Sequence, residues 1–142
     1  MRADKWIVNY LAEKGVTDVF GIPGAIVLDF LYAIDAEKNR ITPHLCYHEQ
    51  GAAFAACGYA QATGKLGVAY STRGPGFTNM ITAIADAYYD SVPTMFITAH
   101  SLVELDPEVR VLNNQEIDTV SLVKNITKKA VRINKIEDLQ KE

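Results

Sequence analysis

No stretch of this 142-residue chain comes near the roughly 20 consecutive apolar residues that cross a bilayer, so no membrane partner is expected. Positive charge is also short. Fourteen lysines and arginines stand against 17 aspartates and glutamates, a net charge of −3. Without a basic surplus to neutralise a phosphate backbone, nucleic-acid binding is not expected. Cysteine is scarce: Cys46 and Cys57 are the only two. Two are too few for a disulfide framework and suit a reducing, cytoplasmic setting. Residues 1–6 carry Arg2, Asp4 and Lys5 with no apolar run behind them, which reads against a signal peptide. The Asn125-Ile126-Thr127 sequon is then expected to stay unmodified. What is present is 49% apolar and 22% charged residues, the composition of one globular domain with a real core.

Helical and strand patterns alternate along the chain. Trp6, Ile7, Tyr10 and Leu11 fall at spacings of three and four within 3–14, an amphipathic helix that Gly15 stops. A short strand, 16–20, meets the turn Gly21-Ile22-Pro23-Gly24. The pattern continues with a helix over 26–34, a strand over 41–48 and an alanine-rich helix over 49–63 that ends at Gly64. A strand over 66–71 leads to Gly74-Pro75-Gly76, a helix over 78–89 and a strand over 94–98. Residues 99–117 have no period and read as a long loop, of the kind that usually carries function. A last strand is expected over 126–133 and another helix from Lys135. The uncapped helical pattern of 136–142 suggests a domain cut from a longer protein.

Such alternation predicts an α/β fold of three layers, with a central parallel sheet of five or six strands flanked by helices. The strands lack polar alternation, as expected when helices cover both faces. Ligands in these folds bind beyond the C-terminal strand ends. The segments 21–24, 48–49 and 72–79 are expected there.

Several motifs are weighed and set aside. A dinucleotide fingerprint starting at Gly74 fails because Asn79 stands where the third glycine belongs. A phosphate loop at Gly64-Lys65 fails because Leu66 replaces the Ser or Thr. His44, Cys46 and His48 alternate on one strand, but neighbours two apart lie nearly 7 Å apart, so they chelate one ion poorly and read as satisfied interior groups. No metal ligands are assigned. Glu49 draws more interest. It opens a helix among Gln50, Gly51, Ala52 and Ala53, small enough neighbours for a ligand to come close. The helix dipole favours its anion and burial favours the neutral acid, so it is placed to exchange a proton. A plain first-turn glutamate complementing the dipole is the alternative.

Taken in order, the segments 48–53 (His-Glu-Gln-Gly-Ala-Ala), Gly58-Tyr59-Ala60, Ala62-Thr63-Gly64, 72–79 (Thr-Arg-Gly-Pro-Gly-Phe-Thr-Asn), Asp86-Ala87-Tyr88 and Val92-Pro93 are far more specific. Together they resemble the N-terminal pyrimidine-binding domain of thiamine diphosphate enzymes. With Phe20-Gly21-Ile22-Pro23-Gly24, they resemble the acetolactate synthase group in particular. The resemblance makes residues 1–142 this one domain, with the central and diphosphate-binding domains absent. It implies that Glu49 hydrogen-bonds N1′ of the cofactor's aminopyrimidine, which lets the ring take the proton from thiazolium C2. It implies that Pro23, Thr72, Gly76 and Asn79 line or shape the pyrimidine pocket, and that Gln115 reaches toward it from the long loop. The implied activity is decarboxylation of pyruvate and carboligation, acting on small 2-oxo acids. The implied cofactors are thiamine diphosphate and Mg²⁺, the metal held by a domain this chain lacks, with FAD compatible with the complete enzyme. A homodimer or higher homo-oligomer follows, since the cofactor lies between this domain and the diphosphate-binding domain of another subunit.

The chain also departs from the group. Phe54 stands five residues after the glutamate, where acetolactate synthases usually carry histidine. Arg73 replaces the usual small residue before Gly-Pro-Gly. His100 stands alone where pyruvate decarboxylases carry a pair. The Gly-Asp-Gly segment of the family's metal site is missing, so the chain alone is expected to be inactive. Two other readings are another thiamine diphosphate-dependent 2-oxo acid decarboxylase, or the small subunit of a split one. A third, of another class, is a non-catalytic nucleotide-binding α/β module.

Overall fold

The computed structural model describes residues 2–101, 106, 108–110 and 113–141. Elements run α1 (Ala3–Glu13), β1 (Asp18–Gly21), a 3-10 turn (Ala25–Val27), α2 (Leu28–Ala36), β2 (Thr42–Leu45), α3 (Glu49–Thr63), β3 (Gly67–Ser71), α4 (Pro75–Thr78), α5 (Ile81–Tyr89), β4 (Thr94–Thr98), α6 (Thr119–Val123) and α7 (Ile136–Leu139). The strands form one parallel sheet in the order β2-β1-β3-β4.

Helices cover the two faces of this sheet. On one, Val8 and Leu11 of α1 and Phe30, Ala33 and Ile34 of α2 pack on Val19, Val68 and Tyr70. On the other, Ala53, Ala56 and Cys57 of α3 and Ala83, Ile84 and Ala87 of α5 pack on Ala69. The first layer is built from large side chains, each worth about 1.5–3 kcal/mol when buried. The second is built largely from alanine, and its merit is close approach. A Cβ on Gly67 would overlap the Ala56 carbonyl oxygen and lie 2.8 Å from its carbon, so glycine lets α3 rest directly on β3. Burial pushes the Cys57 thiol up to about 11. Both cysteines are free.

The α/β class and parallel sheet stand as the sequence predicts, with four strands among the described residues instead of five or six. The segment 126–133 forms no ladder. Side chains tie it down instead: His100 Nε2 lies 3.1 Å from the Ile133 carbonyl, and an Arg132 guanidinium N–H donates to the Ser101 carbonyl at 3.0 Å. The helix expected over 78–89 is two pieces, α4 and α5, and that over 26–34 begins as a 3-10 turn. Part of the long loop, 102–105, 107, 111 and 112, lies outside the described residues.

The larger correction concerns β2. All four of its residues are exposed, so His44 is not an interior group. Its ring stacks on Phe20 at 4.9 Å, and Nε2 lies 2.7 Å from Asp18 Oδ1. Burial disfavours the Asp18 anion, but hydrogen bonds from His44, Thr17 and Tyr59 outweigh it and bring its pKa down. His48 is exposed as well, and its Nδ1 caps α3 by accepting the Gln50 N–H at 3.2 Å. β2 is an edge strand. The Thr42 N–H donates to Thr17 at 2.8 Å and the Cys46 N–H to Gly21 at 2.9 Å. Because direction alternates along a strand, the nitrogen of Pro43 lies on the open side.

Tyr70 is fully buried, and its hydroxyl has no hydrogen-bond partner among the described residues. A buried polar group without a partner costs free energy, so Tyr70→Phe is expected to stabilise the chain by about 1 kcal/mol. The check is the urea midpoint at constant slope. A lower midpoint would show that the hydroxyl has a partner.

Candidate functional site

Four chain segments meet at the C-terminal end of the sheet. The turn after β1 brings Gly24. The N-terminus of α3 brings Glu49. The turn after β3 brings Thr72, Gly74 and Gly76, with Asn79 just beyond α4. The segment before α6 brings Gln115 and Glu116.

Glu49 is half-buried, and the Asn79 amide donates to its Oε2 at 3.0 Å. No described residue hydrogen-bonds Oε1, which faces Gly76. A Cβ at Gly76 would lie 3.3 Å from that oxygen and 2.5 Å from Thr72 Oγ1. Thr72 is held through its methyl and its carbonyl. Its methyl would collide with a Cβ on Gly24. Its carbonyl accepts from Ser71 Oγ and from Thr98 Oγ1, each at 3.0 Å. The result is a carboxylate with one oxygen held and one open, beside a wall kept flat by two glycines.

Gly74 has φ +61, a backbone region that side chains rarely adopt. A Cβ there would strike the Gln115 carbonyl oxygen and lie 2.9 Å from the Gln115 Cβ. Gln115 is exposed and is itself left-handed, at φ 57. So the structure brings together Glu49, Thr72, Gly76 and Asn79, and sets Gln115 against the adjoining turn through its backbone. Pro23 is exposed, one residue before the Gly24 that packs on Thr72.

The sequence reading missed Glu116. Its side chain is 1% exposed and lies between two guanidiniums, Arg73 at 3.6 Å and Arg132 at 3.4 Å. Its Oε2 accepts the Ser101 N–H at 2.8 Å. Burial works against the anion, but the Ser101 hydrogen bonds and the charges of Arg132 and Arg73 outweigh it and bring the pKa below the usual carboxylate value. Arg73 also donates to Ser101 Oγ, and Asn113 donates to the same oxygen at 3.1 Å. The arginine that breaks the family pattern is therefore turned toward this buried carboxylate. His100 is engaged with the Ser101 and Ile133 carbonyls, and Phe54 lies exposed on α3. Among the described residues no three His, Cys, Asp or Glu side chains gather as a metal site.

A parallel α/β domain with a half-open glutamate at the head of a helix and a glycine-walled recess beside it has the parts of a cofactor-binding domain. The profile of the family described as thiamine pyrophosphate enzyme, N-terminal TPP binding domain, matches residues 1–123, and the chain belongs to that family. Acetolactate synthases are among its relatives. It is 41% identical over 140 residues to the acetolactate synthase isozyme 2 large subunit of Escherichia coli, covering 98% of this chain and 24% of that protein. It is 40% identical over 143 residues to the probable acetolactate synthase large subunit of Methanocaldococcus jannaschii, covering 98% and 23%. It is 40% identical over 136 residues to chloroplastic acetolactate synthase 1 of rice, covering 94% and 20%. The chain is an N-terminal cofactor-binding domain of the acetolactate synthase-like type and spans about a quarter of the length of these relatives. No helix among the described residues is long and apolar enough to cross a membrane.

Proposed function

We propose that this domain holds the aminopyrimidine of thiamine diphosphate against Glu49, within a complete enzyme that decarboxylates pyruvate and joins the product to a second 2-oxo acid. The supporting observation is the Asn79–Glu49 bond, which fixes one carboxylate oxygen and leaves Oε1 facing the recess at Gly76. A flat aromatic ring fits such a recess: any side chain at Gly76 would fill it, and the free oxygen can share a proton with a ring nitrogen. When bound, the cofactor supplies the carbon nucleophile that adds to a 2-oxo acid. The chain's own part is smaller and definite. Glu49 shares a proton with the ring nitrogen, Asn79 fixes the carboxylate plane, and Thr72 with Gly76 shapes the wall. Pro23 and Gln115 border the recess from the turns on either side.

Mg²⁺ and the diphosphate would be held by a diphosphate-binding domain of another subunit, in a cytoplasmic homodimer or larger oligomer. FAD is compatible with the complete enzyme. The 142-residue chain alone is therefore expected to bind thiamine weakly and to consume no pyruvate. The test is an NMR titration of the labelled chain with thiamine, alongside calorimetry with thiamine diphosphate and Mg²⁺ and a pyruvate assay. Shifts confined to Glu49, Gly76 and Asn79 are the expected result. Thiamine that leaves all three unmoved overturns the pocket, and tight metal-dependent binding or turnover overturns the division of labour.

A further inference from the structure

Arg73 breaks the family pattern directly beside the proposed pocket, yet its guanidinium is turned to Glu116, 3.6 Å away. The buried Glu116 carboxylate is gripped from a second side by Arg132 at 3.4 Å and accepts the Ser101 N–H at 2.8 Å. Arg132 in turn donates to the Ser101 carbonyl at 3.0 Å. Three separate stretches of chain, the turn after β3, the segment following β4 and the extended segment before α7, thus converge on one side chain. The residue before that side chain is Gln115, and the residue after Arg73 is Gly74. These two neighbours meet at the contact that admits no Cβ on Gly74. Both have left-handed backbones, a conformation a non-glycine residue such as Gln115 keeps only when its surroundings hold it.

We propose that Arg73 is a positioning residue: with Arg132 it clamps Glu116, and the clamp presses Gln115 onto the Gly74 turn, setting the loop-side wall of the pyrimidine recess. The clamp acts through Gln115 and Gly74 and touches no reacting atom. A small residue at position 73 cannot reach Glu116, so this chain carries a tie that relatives with a small residue there lack. Arg132 gives the desolvated carboxylate a charge-assisted hydrogen bond at 3.4 Å, and Arg73 adds an ion pair at 3.6 Å while donating to the hydroxyl of Ser101, whose N–H holds the same carboxylate. Removing one partner leaves Glu116 paired to Arg132, so the fold is expected to survive while the register of 115 against 74 loosens. The placement of the wall rests on the pyrimidine-pocket reading, but the clamp itself does not.

The experiment compares the 142-residue chain with its Arg73→Ser and Arg73→Lys variants by NMR. Without ligand, Arg73→Ser is expected to move the Gly74 and Gln115 amide resonances while the Ile34 and Val68 methyls stay in place. Arg73→Lys, which keeps the charge, is expected to recover most of that change. In a thiamine titration, Arg73→Ser is expected to raise Kd about tenfold, because a loosened wall must be ordered each time the ligand binds, and Arg73→Lys to restore it. Unmoved Gly74 and Gln115 resonances in ligand-free Arg73→Ser overturn the clamp. If they move while thiamine perturbs neither Glu49 nor Asn79 in the unsubstituted chain, the clamp stands and the pyrimidine reading falls. Should Arg73→Ser fail to fold, Glu116→Gln, which keeps the shape and removes the charge both arginines grip, is read by the same resonances.

Discussion

Glu49→Gln in the complete enzyme is expected to leave folding nearly unchanged and to slow proton exchange at the cofactor's C2 by about 10²–10⁴-fold, the usual contribution of a positioned acid–base group. Glutamine keeps the volume of the side chain and leaves the His48 cap of α3 in place. Its amide can still pair with Asn79, so the recess keeps its shape. What it loses is the ability to exchange a proton with the ring nitrogen at the open oxygen. The cost to stability is limited to a first-turn helix charge, about 0.3–1 kcal/mol. Measuring C2 exchange by deuterium incorporation separates this role from any effect on substrate binding. Exchange at the unsubstituted rate would mean that Glu49 is only a helix-end charge.

The second large effect concerns stability. Gly67→Ala is expected to destabilise the chain by about 3 kcal/mol, at the upper end for overpacking. The added methyl would overlap the carbonyl of Ala56 and lie 3.2 Å from the Ala60 Cβ. Its neighbours are mostly backbone, and backbone in a packed helix cannot swing aside as a long side chain can. The remaining response is for α3 to lift from β3, carrying Glu49 away from Asn79. Gly58→Ala, on the same helix, is the opposite case. Nothing lies within 4 Å of its added methyl, and alanine is the better helix former. That variant is expected to gain up to about 1 kcal/mol. Urea unfolding of the two variants side by side is the measurement, and equal effects would show that the α3–β3 contact is less tight than described.

Why Gly67 matters could not be read from the sequence, where it looks like any glycine near a strand start. The elements themselves were legible, because period and punctuation are local properties. Gly15 and Gly64 mark helix ends, and both have left-handed backbones, at φ 81 and 70. The start of α3 at Glu49 falls where the alanine-rich pattern begins. Exposure was less legible. The lack of a regular polar alternation over 41–48 suggested a covered strand, yet covering depends on where helices pass, which pattern does not encode. The segment 126–133 shows the same limit, because an extended stretch held by His100 and Arg132 has the composition of one held in a ladder. Of the candidate site, the motif-bearing residues Glu49, Thr72, Gly76 and Asn79 do meet in space. Glu116 left no signal, because its partners lie in distant segments at no characteristic spacing and an isolated Glu in a loop reads as solvated.

The proline in β2 has a consequence for how this protein behaves in crowded solution. An exposed sheet edge is a template on which a foreign strand can add, and addition needs a run of alternating donors and acceptors. Pro43 removes a donor from the middle of that run, on the side facing outward, so a strand approaching β2 finds the ladder broken. Strand-by-strand growth is therefore directed away from this flank. Among the described strands, edge-to-edge misassembly of newly made or partly unfolded chains is therefore expected to favour the opposite margin, beside β4.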